Sequence, residues 1–148
     1  MCFLLYAGTS TPIPRREWVK EHLDLFVGSL TDYDASIRSH FTAPEVQTIG
    51  STSCCGCDFP HLIYQNGGWP AYLDAEVDGE RLASDRFNRE SLAELLRATG
   101  ESFIELYGVW AGDFAEEPRS REEISVESLR HEDFYFKERG FYRVDLRK

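Results

Sequence analysis

Apolar residues run unbroken from Cys2 to Ala7, which predicts a strand covered on both faces. Gly8 to Pro12 ends it, and Pro12 and Pro14 forbid helix at that point. Arg15 to Glu21 reads as a short helix with Pro14 near its first turn. Leu25-Phe26-Val27 reads as a second short strand, and Ile37 and Phe41 are spaced as a short helix would place them. Val46 to Ile49 alternates apolar and polar and predicts a strand. Between about 51 and 80 the periodicity is lost, as in many functional loops. Within it, Asp58 and Pro60 suggest a short helix running through Leu62, Ile63, Tyr64 and Gln65 and ended by Asn66-Gly67-Gly68, and Trp69 onward reads as irregular. Asn88 as N-cap, a stripe of Leu92, Leu95 and Leu96, and Gly100 just past the end give the main helix, about 89–99. Ser102 to Trp110 predicts a central strand, with Ile104, Leu106 and Trp110 on one face and Phe103, Tyr107 and Val109 on the other. Glu117 to Glu123 reads as a charged surface connection and Ile124-Ser125-Val126 as a short strand. Phe134 to Lys137 and Phe141 to Val144 suggest a hairpin with Gly140 left-handed, against a rival helix ended by Gly140.

Strands outnumber strong helices and do not alternate regularly with them. The expectation is one α+β domain over residues 1–148, with a mixed, largely antiparallel sheet. The main helix packs on one face, and the 51–80 loop covers an end or the other face. At 148 residues and 42% hydrophobic content, the chain can build a core without disulfides, and disorder is excluded. Its 26 acidic and 16 basic side chains leave a net charge of −10, which repels phosphate and argues against nucleic acid. The longest apolar run is far too short for a membrane span, and no signal-peptide pattern opens the sequence. A cytoplasmic protein with a protein or small-molecule partner is therefore expected.

Three of the four cysteines, Cys54, Cys55 and Cys57, fall within four residues, and His61 follows. Thiolates and imidazole are zinc ligands, and a tight Cys54-x-x-Cys57 turn lets two sulfurs converge on one ion. Gly56 offers permissive backbone for that turn. His61 would add a nitrogen, and Cys2, Cys55, His40 or water would be the fourth ligand. Adjacent Cys54 and Cys55 are awkward as joint ligands because successive side chains diverge. A second reading is thiol redox chemistry, with Cys54 or Cys55 attacking and Cys57 resolving. A third is that the thiols are small buried side chains under a loop. Cys2 opens an apolar strand and reads as structural; as an N-terminal nucleophile it would need a base that the sequence does not name.

Gln65 to Pro70 carries two glycines beside Tyr64, Trp69 and Tyr72, a pattern that suits either a ligand groove or a turn with a core plug. The other histidines stand alone, and the paired acids lie in charged connections. No phosphate loop, nucleophile elbow or metalloprotease helix is present. Three functions stay open. One is a binding domain whose Cys/His loop holds structural zinc. Another is a thiol redox or soft-metal protein using Cys54 and Cys57. The last is a non-catalytic acidic partner-binding domain with inert cysteines.

Overall fold

The computed structural model describes residues 2–21, 24–63, 69–70 and 79–147, with backbone only for 62–63, 69–70 and 79–82. The chain forms an α+β domain around a six-stranded mixed sheet. In chain order the elements are β1 (Phe3–Thr9), β2 (Phe26–Ser29), a 3-10 turn (Ala35–His40), β3 (Glu45–Gly50), a second 3-10 turn (Gly56–Asp58), β4 (Leu62–Ile63) and β5 (Trp69–Pro70). They continue with α1 (Gly79–Arg97), β6 (Phe103–Trp110), β7 (Ser120–Ser125), α2 (Val126–Arg130) and β8 (Gly140–Asp145).

The sheet order is β2-β3-β1-β6-β8-β7, while β4 and β5 pair separately. The two strands that are apolar on both faces, β1 and β6, are the central pair. Burial on both sides leaves little room for polar side chains, so mainly apolar runs belong there. Only β7 and β8 run parallel in this sheet. One face, carrying Phe3, Leu5, Ile104, Leu106 and Val144, packs on Leu92, Leu95 and Leu96 of α1 and on Val126 and Leu129 of α2. The other face buries Tyr6, Tyr107, Val109 and Phe141 against Ile37 and Phe114. The two faces of β6 are those the alternation predicts.

Several local expectations give way to tertiary contacts. Residues 15–21 are not helical. Arg16 instead exchanges backbone hydrogen bonds with Val27 at 3.1 and 3.0 Å, extending the sheet edge. The main helix starts well before 89, and Asn88 lies inside it, fully buried, with its side chain bonded to the loop at Thr52. Among the described residues, no helix follows directly on Asp58: Phe59 is extended, and Leu62–Ile63 pairs with Trp69–Pro70, while Tyr64 and Gln65 lie outside them. The charged segment before Ile124 is not a connection but β7, an edge strand, where alternating charges are tolerated on the solvent side. Val126 starts α2 rather than ending a strand. The hairpin and its rival helix are both absent. Phe134 to Lys137 is not in the main sheet, and β8 pairs with β6 and β7. The left-handed residue there is Arg139, with φ of 55°, not Gly140. Among the described residues, no helix is long and apolar enough to cross a membrane.

Candidate metal centre

β1 sets the position of the centre. Its partner β3 covers Leu5 to Thr9, which leaves the flank of Phe3 and Leu4 unpaired on that side. The chain leaves β3 at Gly50, turns, and lays the 3-10 turn Gly56–Asp58 along that flank. Gly56 makes the approach possible. A β-carbon on it would stand 2.8 Å from the Phe3 carbonyl oxygen and 3.3 Å from Leu4 Cα. These are backbone atoms of a central strand and cannot yield. Gly56 therefore serves close approach, and the positive φ in this turn is at Cys54, at 76°.

Ser51 holds the loop in shape. Its N–H donates to the Cys55 carbonyl at 2.7 Å, its hydroxyl donates to the same carbonyl, and its Oγ accepts from the Asp58 N–H at 3.2 Å. The Cys54 N–H donates to the Ser51 carbonyl at 2.9 Å and closes the turn. From outside, Asn88 of α1 accepts from the Thr52 N–H at 3.1 Å, and the Trp18 indole donates to the Thr52 carbonyl at 2.8 Å. Cys2 is fixed from the other side, where its carbonyl accepts from the Ala111 N–H at 2.8 Å.

The result joins residues far apart in the chain. The sulfurs of Cys2, Cys55 and Cys57 lie within 4.8 Å of one another. Cys2 is exposed, and Cys55 and Cys57 are half-buried. Tetrahedral zinc with bonds of about 2.3 Å needs sulfurs about 3.8 Å apart. Closing on an ion thus takes movements of about an ångström or less, within reach of side-chain rotation. Three thiols this close are able to bind a metal.

The thiols are electrostatically unequal. Burial and a hydrogen bond to Cys55 push the Cys57 thiol up to about 12. Burial acts on Cys55 in the same upward sense. It is outweighed by the hydrogen bonds Cys55 accepts from the side chain and backbone of Cys57, from Ser53 and from Cys2, which leave its thiol below the ordinary value. Ser53 Oγ lies 3.7 Å from Cys55 Sγ. Of the two hydrogen-bonded thiols, Cys55 is the one whose thiolate the surroundings favour, and Cys57 is the one held protonated.

Cys54 and His61 do not belong to the group of three. Cys54 is exposed and stands outside the group that Cys2, Cys55 and Cys57 form. The His61 imidazole is buried in the core, stacked on Phe3 with centroids 4.6 Å apart and edge-on to Trp110 at 5.5 Å. Its Nδ1 is 2.7 Å from the Phe59 carbonyl oxygen. His40 packs in the other core, with Nε2 2.8 Å from the Phe114 carbonyl oxygen. Tyr64 and Tyr72 lie outside the described residues, as does the Trp69 side chain. Sequence reasoning missed Ser51, Ser53 and Asn88 as supports, and the run of small hydroxyl residues before the cysteines was the available signal.

A wider cleft of about 590 Å³ opens at the opposite end of β1, walled by Phe103, Phe141, Arg121 and Arg143. Two of its charged side chains are engaged with the protein itself. Glu105 accepts from the Thr42 and Ala43 N–H groups at 3.0 and 2.7 Å, and Arg143 pairs with Glu123 at 3.3 Å while stacking on Phe103. No protein-family model, no curated protein and no solved structure matches this chain.

Proposed function

We propose that this chain is a small metal-binding domain in which Cys2, Cys55 and Cys57 hold zinc and tie the 51–58 loop to β1. The observation that carries this reading is the convergence of three sulfurs from two distant segments within 4.8 Å. An all-thiolate set favours a borderline-soft ion, and zinc adds no redox chemistry of its own. The exposed Cys2 side leaves the fourth position to water or an outside ligand. Reduced thiols require a reducing compartment such as the cytoplasm.

The test is elemental mass spectrometry of protein purified under reducing conditions without chelator or nickel resin. Close to one zinc per chain is expected, falling to background in Cys57→Ser. A wild-type chain that stays metal-free after incubation with zinc overturns the reading.

The lowered Cys55 thiol favours a second reading, thiol-disulfide exchange. Cys55 thiolate would attack a partner disulfide and release one partner thiolate. Cys57 would then displace the second, leaving a Cys55–Cys57 disulfide and a reduced partner. Fast alkylation of Cys55 in the metal-free native protein supports it, and alkylation no faster than that of a free cysteine argues against it.

A further inference from the structure

Cys2, Cys55 and Cys57 offer three sulfurs and no fourth donor. Among the described residues, no other cysteine, histidine or carboxylate joins them within the 4.8 Å that the sulfurs span. The neighbours in sequence are engaged elsewhere. The His61 ring is stacked on Phe3 with Nδ1 2.7 Å from the Phe59 carbonyl oxygen, and Asp58 accepts from the Thr52 hydroxyl at 3.3 Å. Both segments that supply the sulfurs are held at the backbone. The Cys2 carbonyl accepts from the Ala111 N–H at 2.8 Å, and Cys57 Sγ stands 4.0 Å from the Phe3 carbonyl oxygen. Zinc takes four ligands, so this set leaves one of its positions open. An ion that forms three bonds and carries a lone pair uses the set in full. Trivalent arsenic is such an ion, and soft thiolate donors favour soft ions.

We propose that these three thiols capture trivalent arsenic, supplied as arsenite, and give up zinc to it. The proposal rests on the reading of Cys2, Cys55 and Cys57 as one ligand set, and not on which ion resides there. In the metal-free site, arsenous acid reacts with the thiols one at a time. Each step forms one arsenic–sulfur bond, breaks one arsenic–oxygen bond and joins the thiol proton to the departing hydroxide as water. Three waters leave for each arsenic bound. From the zinc-loaded site the thiolates carry no protons, so three protons come from solvent and Zn²⁺ departs. Arsenic stays trivalent and no sulfur is oxidised, so no electron donor or acceptor is needed. The first bond makes the second and third intramolecular. Cys55 and Cys57 alone close two bonds and leave a hydroxide on arsenic, and Cys2 from the β1 side displaces it. Cys2 is also the exposed member of the three, where arsenite enters from solvent.

The experiment titrates the full chain, reduced with a phosphine, with sodium arsenite. Native mass spectrometry reads the adduct, and mapping with iodoacetamide reads which thiols stay free. The metal-free wild type is expected to gain one arsenic with loss of three hydrogens, leaving Cys54 alone open to alkylation. Cys54→Ser is expected to keep this adduct. Cys2→Ser is expected to lose it, retaining at most an arsenic that still bears hydroxide. The alkylation map of the wild type tests the same point with no substitution. A wild type that binds no arsenic, or that protects two thiols only, overturns the proposal. Loss of the adduct from Cys54→Ser beside its survival in Cys2→Ser also overturns it, because the local run Cys54, Cys55 and Cys57 is then the ligand set. The zinc-loaded chain should lose its zinc to excess arsenite, and zinc that stays in place counts against the displacement. Zinc binding without arsenite binding sinks this proposal and leaves the zinc reading standing. Arsenite binding without zinc binding does the reverse, and failure of both ions removes both.

Discussion

At the scale of single residues, the candidate metal centre depends on a side chain that is missing. Gly56 lets the loop lie against β1, and any β-carbon there meets the Phe3 carbonyl oxygen at 2.8 Å. Gly56→Ala should therefore lift Cys55 and Cys57 away from Cys2 while leaving every thiol in place. Zinc affinity is expected to fall by about 10- to 100-fold, as for other changes that misplace ligands without removing them. Competition titration against a zinc indicator measures it, with a thiol count as control, and wild-type affinity in this variant would refute the role given to Gly56. Cys54-x-x-Cys57 marked the right loop in the sequence, but the convergent sulfurs are those of Cys2, Cys55 and Cys57. Spacing along the chain says nothing about which side of a turn a sulfur faces, and Cys2 is 53 positions from Cys55. His61 looked like a ligand by spacing, yet its ring fills an aromatic gap between Phe3 and Trp110.

At the scale of elements, α1 is the strut for two irregular segments. Arg89, nearly fully buried, pairs with Asp85 at 2.9 Å and spreads its guanidinium over the carbonyls of His131, Glu132 and Phe134, just past α2. It satisfies carbonyl groups at the C-terminal end of a five-residue helix that cannot be stable alone. Lysine offers one point charge instead of a planar fork, so Arg89→Lys should cost about 1–3 kcal/mol by giving up part-buried hydrogen bonds to these carbonyls. Urea unfolding checks this, and a loss below about 1 kcal/mol would count against the clamp. Asn88 does the same for the cysteine loop. Asn88→Ala is expected to cost about 1–2 kcal/mol and to weaken zinc binding, because the Thr52 N–H loses its buried acceptor. Elements with strong apolar periodicity, namely β1, β6 and the later turns of α1, were legible in the sequence. The start of α1 and β7 were not, since their residues are polar and owe their structure to neighbours.

At the scale of the whole molecule, alkali should weaken the metal-free fold. The Cys57, Tyr6 and Tyr107 protons are all held more tightly in the fold than in the unfolded chain, mainly because burial disfavours the charged form. Above about pH 9, the ordinary thiol value, the unfolded chain gives up protons that the fold retains. Cys57 thus contributes stability that is complete below pH 9 and drains away as pH rises towards about 12. Cys55 acts in the opposite sense and favours the fold as pH approaches 9 from below. Denaturant midpoints of the apo protein should accordingly fall from pH 9 to 11, and a midpoint that rises over that range contradicts the assignment. With zinc bound the thiolates no longer titrate in this range. The holo protein should then lose less stability over it and lose its advantage on chelation.

The fold class, the central pair of strands, the two-faced core and the loop that carries the cysteine cluster follow from the sequence by itself. Each rests on a local pattern: hydrophobic period, chain breakers, or a cluster of reactive side chains. Tertiary structure alone decided that a charged segment forms the parallel edge strand β7, that Asn88 pins a loop rather than caps a helix, and that Cys2 joins Cys55 and Cys57. These outcomes depend on contacts between residues distant in the chain. Backbone register and close approach at Gly56 set them, and neither leaves a mark in local composition.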